Sequence, residues 1–120
     1  MGVLNVTEYR VGTNRSRTNT NAHRFFLSLK GRSERGVVNS AIIYFWPSRP
    51  TDTVGYIAGS LFVGMLDDSD FQYWYDILRN EKPVKLNYVE NSDASVNKVW
   101  HISIGTGDEG VGEGPKDFNN

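Results

Sequence analysis

The 120-residue chain has no cysteine, which excludes disulfide staples, thiol catalysis and thiolate metal sites together. Histidine is nearly as scarce. His23 and His101 stand without a second ligand or a carboxylate at a metal-binding spacing, so no metal is expected. No apolar run approaches the length that spans a bilayer, and Met1 to Arg10 lacks the basic start and apolar stretch of a signal peptide. The chain reads as soluble, with no membrane partner. Signatures of catalysis and nucleotide binding are missing as well: there is no GxSxG elbow and no GxxxxGK[ST] phosphate loop. The glycines between Gly105 and Gly114 are interspersed with Asp108, Glu109 and Glu113, which would repel a pyrophosphate. Neither a cofactor nor a catalytic residue is expected.

What is present is led by one helix signal. In the run Leu66 to Pro83, Asp67 is placed to accept from the free N–H groups of a first turn. Asp68 and Asp70 sit where the helix dipole favours negative charge, and Leu66 and Phe71 occupy the positions of a hydrophobic staple. Phe71, Trp74, Tyr75 and Leu78 follow at i, i+3, i+4 and i+7, which makes one stripe core-facing and leaves Gln72, Asp76 and Arg79 wet. Ile77 and Tyr73 widen the stripe, with Tyr73 at its edge. Asn80 is a candidate for a left-handed cap, and Pro83, which has no N–H, ends the helix by Glu81.

The remainder reads as strands. Leu4 to Val11 is β-prone, with an apolar phase that shifts between Leu4/Val6 and Tyr9/Val11 and so calls for a bulge or an early end. Gly12 to Asn21 has no apolar residue and reads as a mobile loop. Phe25, Leu27 and Leu29 alternate with Arg24, Phe26, Ser28 and Lys30, GRSERG reads as a turn, and Val37 to Trp46 reads as a central strand covered on both faces. Val54 to Leu66 reads as one bending, glycine-bearing strand. Val84, Leu86 and Tyr88, then Trp100, Ile102 and Ile104, form a last hairpin. The order β-β-β-β-α-β-β gives an α+β class, a small curved antiparallel sheet with one amphipathic helix packed on it. A partly open β-barrel with the helix plugging one end is the alternative. One domain is expected over residues 1–109, with a flexible, acidic, glycine-rich tail over 110–120.

Charge is unevenly placed. Residues 1–50 carry eight Arg or Lys against Glu8 and Glu34, while the rest carries twelve acids against five bases, within a net charge of −1. Two functional readings follow. The first is a non-catalytic binding or assembly module, a homodimer or a protein partner's docking domain, supported by hairpin edges and opposite charge on the two parts. The alternative is a single-stranded nucleic-acid-binding domain in which Arg15, Arg17 and Arg24 contact phosphates and Tyr44 and Trp46 stack on bases.

Overall fold

The computed structural model describes residues 1–15, 18, 22–48, 53–90 and 98–106. Among them, seven strands form: β1 (Gly2–Thr13), β2 (Phe25–Arg35), β3 (Ser40–Trp46), β4 (Gly55–Ala58), β5 (Leu61–Asp67), β6 (Val84–Glu90) and β7 (Lys98–Thr106). They close into a barrel in the order β1-β2-β3-β5-β4-β7-β6, with β6 returning to β1. The sheet is therefore not an open curved layer with a helix on its face. The barrel alternative comes closer, and the ring is complete. Closure is made by two segments distant in sequence, Gly2–Val6 and Val84–Tyr88, each of which alternates side chains inward every second residue. Leu4, Leu27, Leu29, Ile43, Phe62 and Leu86 fill the interior with no exposure to solvent. Burial of such side chains stabilises by roughly 1.5–3 kcal/mol each as an upper estimate.

Three local readings change. The run Val54 to Leu66 is two strands, because Gly59 adopts φ +63° and turns the chain, so β4 pairs back on β5. Placing β5 beside β3 then makes a parallel pair, Ser40–Trp46 against Leu61–Asp67, within an otherwise antiparallel sheet. Most of the segment GRSERG, Gly31–Arg35, is the second half of β2, and the turn begins only at Gly36: the charged side chains face outward, and Glu34 accepts from Lys85 Nζ at 2.9 Å and Asn5 Nδ2 at 3.3 Å. That network spans three adjacent strands and holds the exposed Glu34 carboxyl below its ordinary pKa, through the Lys85 hydrogen bond first. In β7 a register irregularity opposite Val89 and Glu90 reverses the expected phase at the start of the strand, while Ile102 and Ile104 pack on the core as their alternation predicts. Val99 points into the core and Trp100 is 56% exposed.

The helix α1 (Phe71–Asn80) follows a 3-10 turn over Asp68–Asp70. It lies over the end of the barrel where β3 and β5 finish, with Trp74 and Leu78 buried and Tyr73 72% exposed. Packing dominates here over capping. Neither Asp67 at the turn nor Asp70 at the helix makes a side-chain cap hydrogen bond, and Glu81, not a left-handed Asn80, ends the helix in extended backbone. Phe71 instead stacks on Phe25 at 4.4 Å and meets Phe45 edge-on at 5.3 Å, an arrangement worth about 0.5–1.5 kcal/mol per pair beyond area burial. On the solvent face, Asp76 accepts from both Gln72 and Arg79 at 2.8 Å.

At the opposite end, Tyr88 is fully buried and its hydroxyl lies between Gly2 and Gly36. A Cβ on Gly2 would stand 1.9 Å from the Tyr88 ring, and Gly36 turns at φ +90°, so both positions need glycine. The hydroxyl makes no well-formed hydrogen bond among the described residues, and burial, opposed in part by the nearby backbone of Val38 and Val37, raises its pKa above the ordinary tyrosine value. The neutral form is thus the one the fold favours. Its contribution is complete below the unfolded-state pKa of about 10 and is lost as pH rises through the higher folded value. Tyr88→Phe removes an unpaired buried oxygen while keeping the ring, so we expect unchanged or raised stability at pH 7. We expect less loss than in the parent above pH 10. Denaturant titrations at the two pH values test both expectations.

Candidate functional site

β1 is paired on its two sides to different lengths. With β2 it pairs from Val3 to Thr13, but with β6 only from Gly2 to Val6. From Thr7 to Thr13 the second edge of β1 therefore has no strand beside it among the described residues. The cause is local. Pro83 cannot donate to a ladder, so β6 starts at Val84, while β1 carries a bulge between Val6 and Glu8 and runs on past it. A row of backbone N–H and C=O groups is left facing outward along that edge.

The same mismatch opens a cleft of about 640 Å³ between this edge and the C-terminal end of α1. Val6, Tyr9, Leu78, Pro83 and Val84 form its apolar wall, and Glu8, Glu81 and Lys82 stand at its rim. Beyond the bulge, Tyr9 pairs with Leu29 and Val11 with Leu27, whose side chains point inward, so Tyr9 and Val11 share the helix-side face. They are nonetheless 38% and 40% exposed. Tyr9 is braced by Tyr75, edge-on at 6.3 Å, and Tyr75 by Phe71 at 5.7 Å and by the Arg79 guanidinium 5.0 Å above its ring. Glu8 and Arg10 alternate onto the outer face, with Lys30 opposite Glu8 on β2.

The residues that sequence reasoning singled out lie elsewhere. Tyr44 and Trp46 are half-buried on the outer face of β3, gathered around His23 at centroid distances of 4.6 and 5.4 Å, with Phe26 at 6.4 Å from the same ring. Arg15 and Arg24 are exposed at the two feet of the β1–β2 loop, which is closed by Asn14 N–H donating to the Arg24 carbonyl at 2.8 Å and by Asn14 Nδ2 donating to the His23 carbonyl at 3.1 Å. Arg17 lies outside the described residues, as does the tail 110–120. Two of the three arginines and both rings are thus brought to one end of β2 and β3. Yet Trp46 pairs directly with Asp67, ahead of Asp68 and Asp70, so acids stand where phosphates would approach. The indole N–H of Trp46 is buried without an acceptor among the described residues.

Sequence reasoning missed the free edge. Its one visible trace was the phase shift between Val6 and Tyr9, which marks the bulge but not the strand that stops there. Among the described residues no three His, Asp or Glu side chains are grouped to hold a metal ion, and no helix is long and apolar enough to cross a membrane. Comparison with protein-family models, curated proteins and solved structures produces no match to this chain.

Proposed function

We propose that this protein is a non-catalytic interaction module that accepts an extended strand along β1. The observation that supports the reading is the unpaired edge Thr7–Thr13 with an apolar cleft at its foot. Main-chain hydrogen bonds along such an edge supply affinity, and a cleft beside it selects the side chain that enters, which is how strand addition achieves specificity. Tyr9 and Val11 are the apolar side chains an added strand would cover.

The nucleic-acid reading ranks second. The ring cluster around His23 favours it, but Tyr44 and Trp46 are already packed against the His23 ring, and the acidic turn begins beside Trp46. Amide exchange followed by NMR separates the two. A library of extended decapeptides is expected to contain binders that slow exchange along Thr7–Thr13, and Val11→Pro is expected to reduce the protection, because Asn14 N–H bonds across to Arg24 and the alternation from there turns the Val11 N–H toward the free edge. Shifts confined to Tyr44, Trp46 and Arg24 on adding a short single-stranded oligonucleotide, with no peptide effect on β1, would replace the first reading with the second.

A further inference from the structure

Resting on that reading, we propose that the strand added along β1 is β1 of a second copy of this chain, antiparallel about a twofold axis through Tyr9. The charge order along the edge carries the proposal. β6 stops at Val6, so the first free positions of β1 are Thr7, Glu8, Tyr9, Arg10 and Val11. Laid antiparallel on itself with Tyr9 against Tyr9, this segment places Glu8 of each copy directly opposite Arg10 of the other. Thr7 then faces Val11.

A twofold axis perpendicular to the strands keeps paired residues on the same face. Glu8 and Arg10 are both outer-face residues, because they pair with Lys30 and Ser28 on β2 and alternate with the inward pairs Tyr9–Leu29 and Val11–Leu27. The two ion pairs therefore form on one side of the joined sheet, and the two Tyr9 rings meet on the other, beside the clefts. The register is also selected against its nearest even-numbered alternative. Centring the pair on Arg10 would set Arg10 against Arg10 and leave Glu8 opposite Gly12, exchanging two attractions for one repulsion. Tyr9 and Val11, exposed in the single chain, become covered. The chain past Val11 has Gly12 where it must pass the start of the other copy's β6, a position that adds no side chain to that crossing.

Sedimentation equilibrium of the full chain and of charge-reversed variants tests this. The parent is expected to dimerise, with a Kd that rises as salt is added because two ion pairs are screened. Glu8→Arg alone and Arg10→Glu alone each turn both attractive pairs into repulsive ones and should weaken self-association about tenfold or more. The decisive sample is their equimolar mixture. The Glu8→Arg chain presents two arginines and the Arg10→Glu chain two glutamates, so the mixture should dimerise where neither variant does alone, as should the doubly swapped chain. Tyr9→Lys, which brings two cations together at the axis, is an independent check should Glu8→Arg, placed opposite Lys30, unfold the hairpin. A parent that stays monomeric at high concentration and low salt overturns the proposal, as does a dimer indifferent to these reversals. If the parent is monomeric while a decapeptide still protects Thr7–Thr13, the edge remains an interaction site and only the second copy is rejected.

Discussion

Replacing Trp74 with alanine is expected to lower the free energy of unfolding by about 3–5 kcal/mol. Trp74 is 8% exposed and stands with Leu78 at the mouth of the barrel, its ring 6.3 Å from that of Phe45. Truncation would forfeit the transfer energy of the indole, and the hole would not close, because the surrounding strands are locked in a ring and cannot collapse inward. The contrast on the same helix is Tyr73→Ala. Tyr73 faces solvent, and its loss should cost less than about 0.5 kcal/mol. Urea or guanidinium unfolding of the two variants beside the parent gives the comparison. A Trp74→Ala loss below about 1 kcal/mol would mean that α1 does not seal the barrel.

The second large effect is expected at Gly31, which pairs with Val6 of β1 beside the register shift. A Cβ there would lie 1.8 Å from the Asn5 carbonyl oxygen, a backbone atom that cannot rotate away. Gly31→Ala must therefore separate the two strands at the register shift on which the length of the free edge depends. The expected cost is at or above the upper end of the 1–3 kcal/mol typical of overpacking. Gly105→Ala is the matched control: a Cβ at that position meets nothing within 4 Å, so it should be neutral or slightly stabilising. Equal melting temperatures for the two alanine variants would show that the strands at Gly31 are free to move apart.

How much of this was legible in the sequence depended on the range of the interaction. Periods close in the chain were readable. The stripe Phe71, Trp74, Tyr75, Leu78 did mark a helix with Trp74 and Leu78 buried, and the alternations Phe25–Leu29 and Val84–Tyr88 did mark strands with those residues turned inward. The bulge in β1 was readable too, since a phase shift between Val6 and Tyr9 is a local event. Pairing between distant segments was not. Nothing in Gly2–Val6 names Val84–Tyr88 as its neighbour, so closure of the sheet and the parallel β3–β5 pair followed only from the whole fold.

The polar strand half Gly31–Arg35 resembled a turn because its outward side chains are charged, and its role in carrying the Glu34 network depends on Lys85, far along the chain. Trp100 was misplaced for a different reason. A single register irregularity at Trp100 reverses the phase of Val99 before it while Ile102 and Ile104 keep theirs, and no proline or glycine between Lys98 and His101 announces it. The candidate site was the least legible part, since an unpaired edge is defined by where another strand stops.

The way the ring is closed also bears on how the chain reaches this state. Hairpins such as β6–β7 and β4–β5 join residues near in sequence, and their loops close quickly. The ring cannot be completed until Val6 finds Val84, with four strands and the helix's own segment in between, and that search sets a slow, topology-limited folding step. Until that step, the Gly2–Val6 edge of β1 is as bare as Thr7–Thr13 remains afterwards. During synthesis or refolding at high concentration a neighbouring molecule can therefore compete with β6 for the same strand, and the outcome is decided by whether the intramolecular closure is faster than the encounter.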